Sequence, residues 1–215
     1  MRDTTEVFNP RVEGLSRSTR LYLIRHGPVK GHEEKRIYGH DDVELTEEGI
    51  TQSHRLGQRL KGEKITALYS SDLRRSLEGA RIIAHYLDIT PAPPLQEFRE
   101  KKFGVFEGLN LKEIKERFAV EMDELMNNWI GYCPPGAESL RELEQRVMPA
   151  LHDILEKHDG ERIALVGHGG VNRMILLHAL GLELESFFCF EQDYGCLNIL
   201  DYYPQGAVVR LVNGL

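Results

Sequence analysis

A run of apolar residues that ends in Arg25-His26-Gly27 constrains this chain more than any other feature of its sequence. Residues 21–24 read Leu-Tyr-Leu-Ile, and four consecutive apolar or aromatic residues are typical of a strand that is buried on both faces of a sheet. The glycine that follows suits a sharp bend or a close approach to a ligand. Because open α/β sheets bind ligands at the carboxyl ends of their strands, we expect Arg25 and His26 to lie at such an edge.

Two further strand candidates end in polar residues of the same kind. Residues 65–69 lead into Ser-Ser-Asp-Leu-Arg-Arg at 70–75, and residues 163–167 lead into His-Gly-Gly at 168–170. If the three strands are parallel neighbours, two histidines and at least two arginines meet above one edge of the sheet. Guanidinium forks suit a tetrahedral oxyanion, and the glycine amides at a helix start can donate to it. The set predicts a phosphate pocket.

Apolar residues at helical spacing lie between the strand candidates. Thr46 is a candidate N-cap, Ser139 begins a capping box, and Gly181 suits a helix end. The polar residues 70–72 predict the start of another helix. Residues 111–125 predict a helix whose apolar side chains, beginning with Leu111, face inward.

Two final strand candidates, 196–202 and 207–212, flank a turn and are close to a hairpin. Strands that alternate with helices predict a three-layer α/β/α fold, with a mainly parallel sheet and an antiparallel edge strand. We expect an N-terminal tail at 1–19 and a single domain at 20–215.

Composition narrows the classes of partner. The formal net charge of −7 argues against a nucleic acid or an anionic membrane surface as a partner. No apolar run approaches the roughly 20 residues that a membrane span requires, and the N-terminus shows no signal-peptide pattern. The cysteines Cys133, Cys189 and Cys196 are odd in number and lack CxxC spacing, which favours reduced thiols and a cytoplasmic location. The oligomeric state stays open, with a homodimer as one alternative.

The predicted pocket favours phosphoryl transfer to an imidazole. One histidine could attack phosphorus while the other donates a hydrogen bond to the developing charge. Nearby guanidinium groups lower the pKa of an imidazole, which keeps the nucleophile neutral. A carboxyl group between Glu97 and Gly108 is the natural proton donor to the leaving oxygen.

A metal site is the alternative to this interpretation. His26, His32 and His40 could act as ligands together with Asp41 and Asp42. The sequence has no pair of histidines at i and i+4 in this region. We therefore expect neither a metal nor another cofactor.

Five motifs, taken in order, resemble the histidine phosphatase superfamily, whose fold is phosphoglycerate-mutase-like. The resemblance extends from about Leu21 to the C-terminus. The motifs are Leu-Ile-Arg-His-Gly at 23–27, Leu-Thr-Glu-Glu-Gly at 45–49, Ser-Ser-Asp-Leu-Arg-Arg at 70–75, Arg-Glu-Lys-Lys-Phe-Gly-Val-Phe-Glu-Gly at 99–108 and Val-Gly-His-Gly-Gly-Val at 166–171.

The resemblance implies a role for each matching residue. His26 would be the phosphorylated nucleophile, and Glu100, four residues before Gly104, would be the acid and base. Glu97 competes for that role but lies three residues too far from the glycine. The phosphoryl group would be held by Arg25, Arg75, His168 and the backbone of Gly169.

The resemblance also marks where this chain departs from the family. Arg36 matches a loop arginine that often contacts substrate, and His32 replaces an asparagine that often binds in the pocket. Pro28 stands where glutamate is common, and residues 78–80 are Glu-Gly-Ala in place of Gln-Thr-Ala. None of these departures removes a catalytic group.

The family contains phosphomonoesterases and sugar-acid phosphate mutases. Residues 109–138 carry three basic and six acidic side chains, whereas a mutase would need paired arginines there to bind the substrate carboxylate. Residues 192–201 look similar to α-ribazole-phosphate phosphatases of cobalamin synthesis. We therefore expect a hydrolase that acts through a phosphohistidine on a small organic phosphate, with α-ribazole 5′-phosphate as one candidate. A phosphoglycerate mutase and a non-catalytic phosphate-binding protein remain the alternatives.

Overall fold

Five strands form one mixed sheet in the computed structural model, which describes residues 17–215. They are β1 (Thr19–Arg25), β2 (Ala67–Ser70), β3 (Arg162–Gly167), β4 (Leu197–Tyr203) and β5 (Gly206–Gly214). Their spatial order is β2-β3-β1-β4-β5. Strands β2, β3 and β1 are parallel, and β4 runs antiparallel to β1 and β5. The predicted fold class is confirmed, and the antiparallel edge is a hairpin. Most of the predicted tail, residues 1–16, lies outside the described residues.

Six α-helices in the described residues accompany the sheet. They are α1 (Glu47–Leu60), α2 (Arg74–Leu87), α3 (Leu111–Arg117), α4 (Ala119–Asn127), α5 (Leu140–Lys157) and α6 (Gly169–Leu180). Short 3-10 turns occur at His32–Glu34, Gln96–Phe98, Gly104–Phe106 and Leu184–Ser186. Within residues 17–215, none of the helices combines the length and the hydropathy that crossing a membrane would require.

The side chains of β1 alternate between two hydrophobic cores, as expected for a strand covered on both faces. Leu21 and Leu23 pack in the core that contains the apolar residues of α5 and α6. Tyr22 and Ile24 pack in the core that contains those of α1 and α2. All four are at most 1% exposed, so β1 is the central element of the three layers.

The helix caps predicted from the sequence are present. The Thr46 side chain accepts from the amide of Gly49 at 3.0 Å, and Ser139 forms both bonds of a capping box with Glu142. Gly181 ends α6 in the left-handed conformation, with φ of 65°. These local signals are reliable because each depends on residues within one helical turn.

The start of α2 differs from the prediction. Residues 70–72 do not cap the helix: Leu73 occupies the N-cap position without a side-chain bond. A more distant residue serves instead, since the amide of Arg74 donates to Asp42 Oδ1 at 2.7 Å. Asp72 is engaged in an ion pair, in which Arg99 Nε donates to Asp72 Oδ1 at 2.7 Å.

The helix predicted at 111–125 is also different. Two helices, α3 and α4, meet at Phe118, whose φ of −136° interrupts the helical path. The prediction that Leu111 faces inward was wrong, because its side chain is 51% exposed. Asn110 caps α3 and so places Leu111 in the first turn on the solvent side, whereas Ile114 is fully buried.

The turn after β1 depends on a close approach between two backbones. A Cβ atom built on Gly27 would lie 2.5 Å from the Cα of Gly49. The amide of Thr46 also donates to the carbonyl of Pro28 at 2.9 Å. The first turn of α1 therefore fixes the direction in which the chain leaves His26.

Gly27→Ala should lower the free energy of unfolding, because both atoms of the clash belong to rigid segments. We expect a loss of about 1–3 kcal/mol. Gly79→Ala in the interior of α2 is the matched control, since its Cβ would meet Ser53 Oγ at 3.4 Å and alanine is the better helix former, by up to about 1 kcal/mol. Urea denaturation of both variants would show the difference, and equal stability of the two would contradict this account of the turn.

Candidate active site

The two histidines of the predicted pocket lie side by side at the carboxyl edge of the sheet. The parallel register of β1 and β3 pairs Arg25 with Gly167, and His26 and His168 are the residues that follow. Their ring centroids are 5.0 Å apart with an edge-on angle of 65°. His26 is 5% exposed and His168 is fully buried. Strand pairing thus brings together two residues that are distant in the sequence.

His26 is held as one particular neutral tautomer. Its Nδ1 lies 2.7 Å from the carbonyl oxygen of Gly27, and because a carbonyl only accepts, Nδ1 carries the hydrogen. Burial keeps the pKa of His26 well below its ordinary value, and the charges of Arg75 and Arg25 lower it further. Nε2 therefore keeps its lone pair, which is the requirement for a nucleophile.

His168 is neutral for the same physical reasons. Burial lowers its pKa well below the ordinary value, and Arg75 contributes next. Its Nε2 lies 2.7 Å from Ser71 Oγ. Its Nδ1 is buried and has no hydrogen-bond partner among residues 17–215, so Nδ1 is the nitrogen that can contact a ligand.

Arg75 supplies a buried positive charge. Its side chain is 2% exposed, and its Nη1 and Nη2 donate to the carbonyls of Asp41 and Gly39, both at 2.7 Å. Carbonyl oxygens orient the guanidinium without neutralising it, and burial lowers the pKa of Arg75. An anionic ligand would stabilise the charge. The neighbouring Arg74 instead forms an ion pair with Glu44 at the surface.

Arg25 is fixed in a similar way. Its Nη1 donates to the carbonyl of Gln192, and its guanidinium carbon lies 3.9 Å from the ring centroid of Tyr194. Its buried Nε has no partner in the described part of the chain. The position of a Cβ on Gly169 would be 3.5 Å from that Nε, which places the first residue of α6 beside Arg25.

Glu100 approaches the N-terminus of α6. Its Oε1 accepts from the amides of Lys101 at 2.8 Å and Gly170 at 3.0 Å, and any Cβ at position 170 would overlap with that oxygen. The carbonyl of Glu100 accepts from Arg146 Nη2 and from His40 Nε2, both at 2.9 Å. The backbone that carries this carboxyl group is therefore held from two sides.

Four of these residues, but not the fully buried His168, line a cleft of about 170 Å³. It is lined by Arg25, His26, Arg75 and Glu100 together with the rings of Tyr38, Phe103 and Tyr194. A larger groove of about 570 Å³ between α5, α6 and the turn after β4 contains none of the predicted site residues. The size of a groove therefore does not identify the site. The charged groups that converge in the smaller cleft identify it.

Arg36 also lines the cleft, but carboxylates occupy its guanidinium. Its Nε donates to Glu34 Oε2 at 2.8 Å, and its Nη1 donates to Glu113 Oε2 at 2.7 Å. Both bonds raise the pKa of Arg36. A substrate carboxylate at this position would have to compete with two protein carboxylates.

Two other residues considered in the sequence analysis, His32 and Glu97, do not line the cleft. His32 Nδ1 donates to the carbonyl of Val29 at 3.0 Å, and its ring lies edge-on to Tyr194 at 5.9 Å, outside the residues that line the cleft. Glu97 is exposed and lines another groove. In residues 17–215, no three side chains of the His, Cys, Asp or Glu type form a group that could hold a metal ion.

Several contacts at the site were not predicted from the sequence. Ser71 contacts His168, Tyr194 covers Arg25, and Arg146 binds the backbone of Glu100. Ser71 and Tyr194 belong to stretches that the sequence analysis matched to the family, but motif spacing alone assigned them no contact. Arg146 lies within α5 and carries no local signal.

Comparison with known proteins gives the class to which this chain belongs. The histidine phosphatase superfamily (branch 1) matches residues 21–214, and the chain therefore belongs to that superfamily. Phosphoglycerate mutase-like protein 4 of Arabidopsis thaliana is 38% identical over 157 residues, covering 72% of this chain and 68% of the relative. The metal-independent phosphoserine phosphatase of the same plant is 35% identical over 164 residues, covering 75% and 69%.

Other relatives match over a greater length. The adenosylcobalamin/alpha-ribazole phosphatase of Escherichia coli (strain K12) is 27% identical over 194 residues, covering 90% of this chain and 95% of the relative. The crystal structure of the alpha-ribazole phosphatase from Shigella flexneri superimposes with a TM-score of 0.84 at 27% identity, covering 91% and 96%. The predicted family, fold class and enzyme class, a phosphomonoesterase, are confirmed.

Arg75→Ala should impair catalysis far more than Arg74→Ala. Arg75 lines the cleft, whereas the Arg74 side chain is 56% exposed. Loss of a charge-assisted contact to phosphate should reduce kcat/KM for p-nitrophenyl phosphate by about 10- to 100-fold or more. The surface substitution should change it by no more than about twofold. Equal losses at the two positions would contradict the assignment of Arg75 to the site.

Proposed function

We propose that this chain hydrolyses small organic phosphomonoesters through a phosphohistidine formed on His26. The observation that carries the proposal is the neutral imidazole of His26, whose Nε2 lone pair is free in a cleft that also contains Arg25 and Arg75. Two guanidinium groups beside a neutral nucleophile suit a dianionic phosphoryl group.

In the first step, His26 Nε2 attacks phosphorus, and the bond from phosphorus to the ester oxygen breaks. Protonated Glu100 donates its proton to the departing oxygen, which leaves as an alcohol. The charge on the phosphoryl oxygens is stabilised by Arg25, Arg75, His168 and the Gly169 amide.

In the second step, water attacks phosphorus, the bond from phosphorus to His26 Nε2 breaks, and the Glu100 carboxylate accepts a proton of that water. Inorganic phosphate leaves, and His26 returns to its neutral form. Glu100 is suited to both steps because it lies in the cleft and its carbonyl is held in place by Arg146 and His40. Proton transfer requires such a group in the cleft, whereas phosphate binding alone gains nothing from a second negative charge there.

The surroundings of Arg36 favour hydrolysis over mutase activity. A mutase must hold a dephosphorylated sugar acid by its carboxylate until the phosphoryl group returns. Here the guanidinium of Arg36 is already bonded to Glu34 and Glu113. Such an intermediate should leave, and water should then attack the phosphohistidine.

The residues that line the cleft indicate which kind of leaving group it can accommodate. Three aromatic rings line it, and aromatic surfaces suit a flat leaving group. Together with the relatives that are named for alpha-ribazole, this supports α-ribazole 5′-phosphate as a candidate substrate. Contacts from His32 and Arg36 to the substrate and a cytoplasmic location belong to the same proposal. The domain predicted at 20–215 also includes Thr19, the first residue of β1.

Glu100→Gln should slow hydrolysis of alkyl phosphates much more than hydrolysis of p-nitrophenyl phosphate. An alkoxide needs a proton as it departs, and general acid catalysis contributes about 10²–10⁴-fold, whereas p-nitrophenolate scarcely needs one. The measurement is kcat/KM for both substrate types, with release of inorganic phosphate as the readout. Glu97→Gln, three residues away and exposed, is the matched control and should leave both values unchanged.

Two results would contradict this scheme in different ways. Equal slowing of alkyl and aryl substrates would remove Glu100 as the acid. Conversion of 3-phosphoglycerate to 2-phosphoglycerate that outpaces phosphate release would replace the hydrolase by a mutase.

A further inference from the structure

Ser71 contacts Nε2 of His168, the ring nitrogen opposite the unpartnered Nδ1. Ser71 is fully buried directly after β2, and its hydroxyl oxygen lies 2.7 Å from His168 Nε2. The same oxygen accepts from the amide of Leu73 at 3.3 Å. Because Nε2 is engaged in this way, only Nδ1 of His168 is left for a phosphoryl group.

A count of hydrogens distinguishes the two neutral tautomers of His168. If Nε2 carried the hydrogen, it would donate to Ser71 Oγ, which already accepts from Leu73. The Ser71 hydroxyl hydrogen would then have no acceptor among the described residues, and burying an unpaired polar group is costly. If Nδ1 carries the hydrogen, the Ser71 hydroxyl donates to the Nε2 lone pair, and every group of the pair is satisfied except Nδ1–H.

The charges of the cleft oppose this second arrangement. Arg25 and Arg75 lie near His168 and lower its pKa, and positive charges favour a lone pair rather than an N–H that points towards them. The hydrogen bond from Ser71 is therefore the local interaction that can hold the hydrogen on Nδ1. Without it, the tautomer with the hydrogen on Nε2 should gain population.

We propose that Ser71 is a positioning residue that holds His168 as the Nδ1–H tautomer, so that His168 donates a hydrogen bond to the transferring phosphoryl group. This inference rests on the proposed function for its consequence, because only a phosphoryl oxygen makes the donor useful. His26 and His168 then carry their hydrogens on the same ring atom but present opposite functions: His26 offers a lone pair, and His168 offers an N–H.

The tautomer can be observed directly in the resting protein. Long-range proton–nitrogen spectra of protein labelled with ¹⁵N-histidine separate nitrogens that carry a hydrogen from those that do not. The chain has nine histidines, so His168→Gln would identify the signals of His168 by difference. We expect Nδ1 to carry the hydrogen in the wild type, and Ser71→Ala to move the hydrogen partly or wholly to Nε2.

Kinetics provide the functional readout. Ser71→Ala should lower kcat/KM for p-nitrophenyl phosphate by about 10-fold or more. This is the loss expected when His168 no longer donates a hydrogen bond to the charged phosphoryl group. Ser71→Thr, which keeps the hydroxyl, should recover activity. The adjacent Ser70 is the matched control: it is 1% exposed, and its Oγ has no partner among residues 17–215. Ser70→Ala should change kcat/KM by no more than about twofold.

Either of two results would overturn the inference. One is a wild-type spectrum in which Nε2 of His168 carries the hydrogen. The other is a loss of activity in Ser71→Ala no greater than in Ser70→Ala. Should the wild type hydrolyse no phosphate ester at all, the proposed function would fail, while the ring spectrum, which needs no turnover, would still decide the tautomer.

Discussion

The parallel register between β1 and β3 is the constraint on which the site depends. It pairs Arg25 with Gly167, and the amide of His26 donates to the carbonyl of Gly167 at 3.2 Å. The next residues of the two strands are therefore the two facing imidazoles. A change of register by a single residue would turn the side chains of β1 to the opposite cores, so the packing that stabilises the sheet also fixes the pocket.

The arginines of the site differ from many others in the molecule in the groups that contact their guanidinium charges. Several arginines outside the cleft have carboxylate partners, as in the pairs of Arg146 with Glu138 and Arg99 with Asp72. Arg75 has carbonyl partners instead. Beside it the buried imidazoles stay neutral, because charging them would add like charges in a region with little water. A dianionic phosphoryl group complements this arrangement, since it brings negative charge beside Arg25 and Arg75.

The sequence predicted those parts of the structure that depend on short stretches. The strand at 21–24, the caps at Thr46 and Ser139 and the convergence of His26 with His168 follow from local pattern plus the rule that ligands bind at the carboxyl edge of a parallel sheet. The parts that were missed depend on partners remote in the sequence. Asp42 rather than residues 70–72 caps α2, for instance. Contacts between side chains, such as that of Tyr194 with Arg25, also cannot be predicted from hydrophobic periodicity or motif spacing.

The central claim is that His26 is the group that receives the phosphoryl group, and acid-sensitive labelling of the protein tests it most directly. Protein incubated with a ³²P-labelled phosphate ester and denatured rapidly should retain label that is stable to base and released by acid, as expected for a phosphohistidine. Mapping by mass spectrometry should place the label on His26, and His26→Ala should neither carry it nor turn over. Turnover by His26→Ala at the native rate, or a label on another residue, would contradict the account.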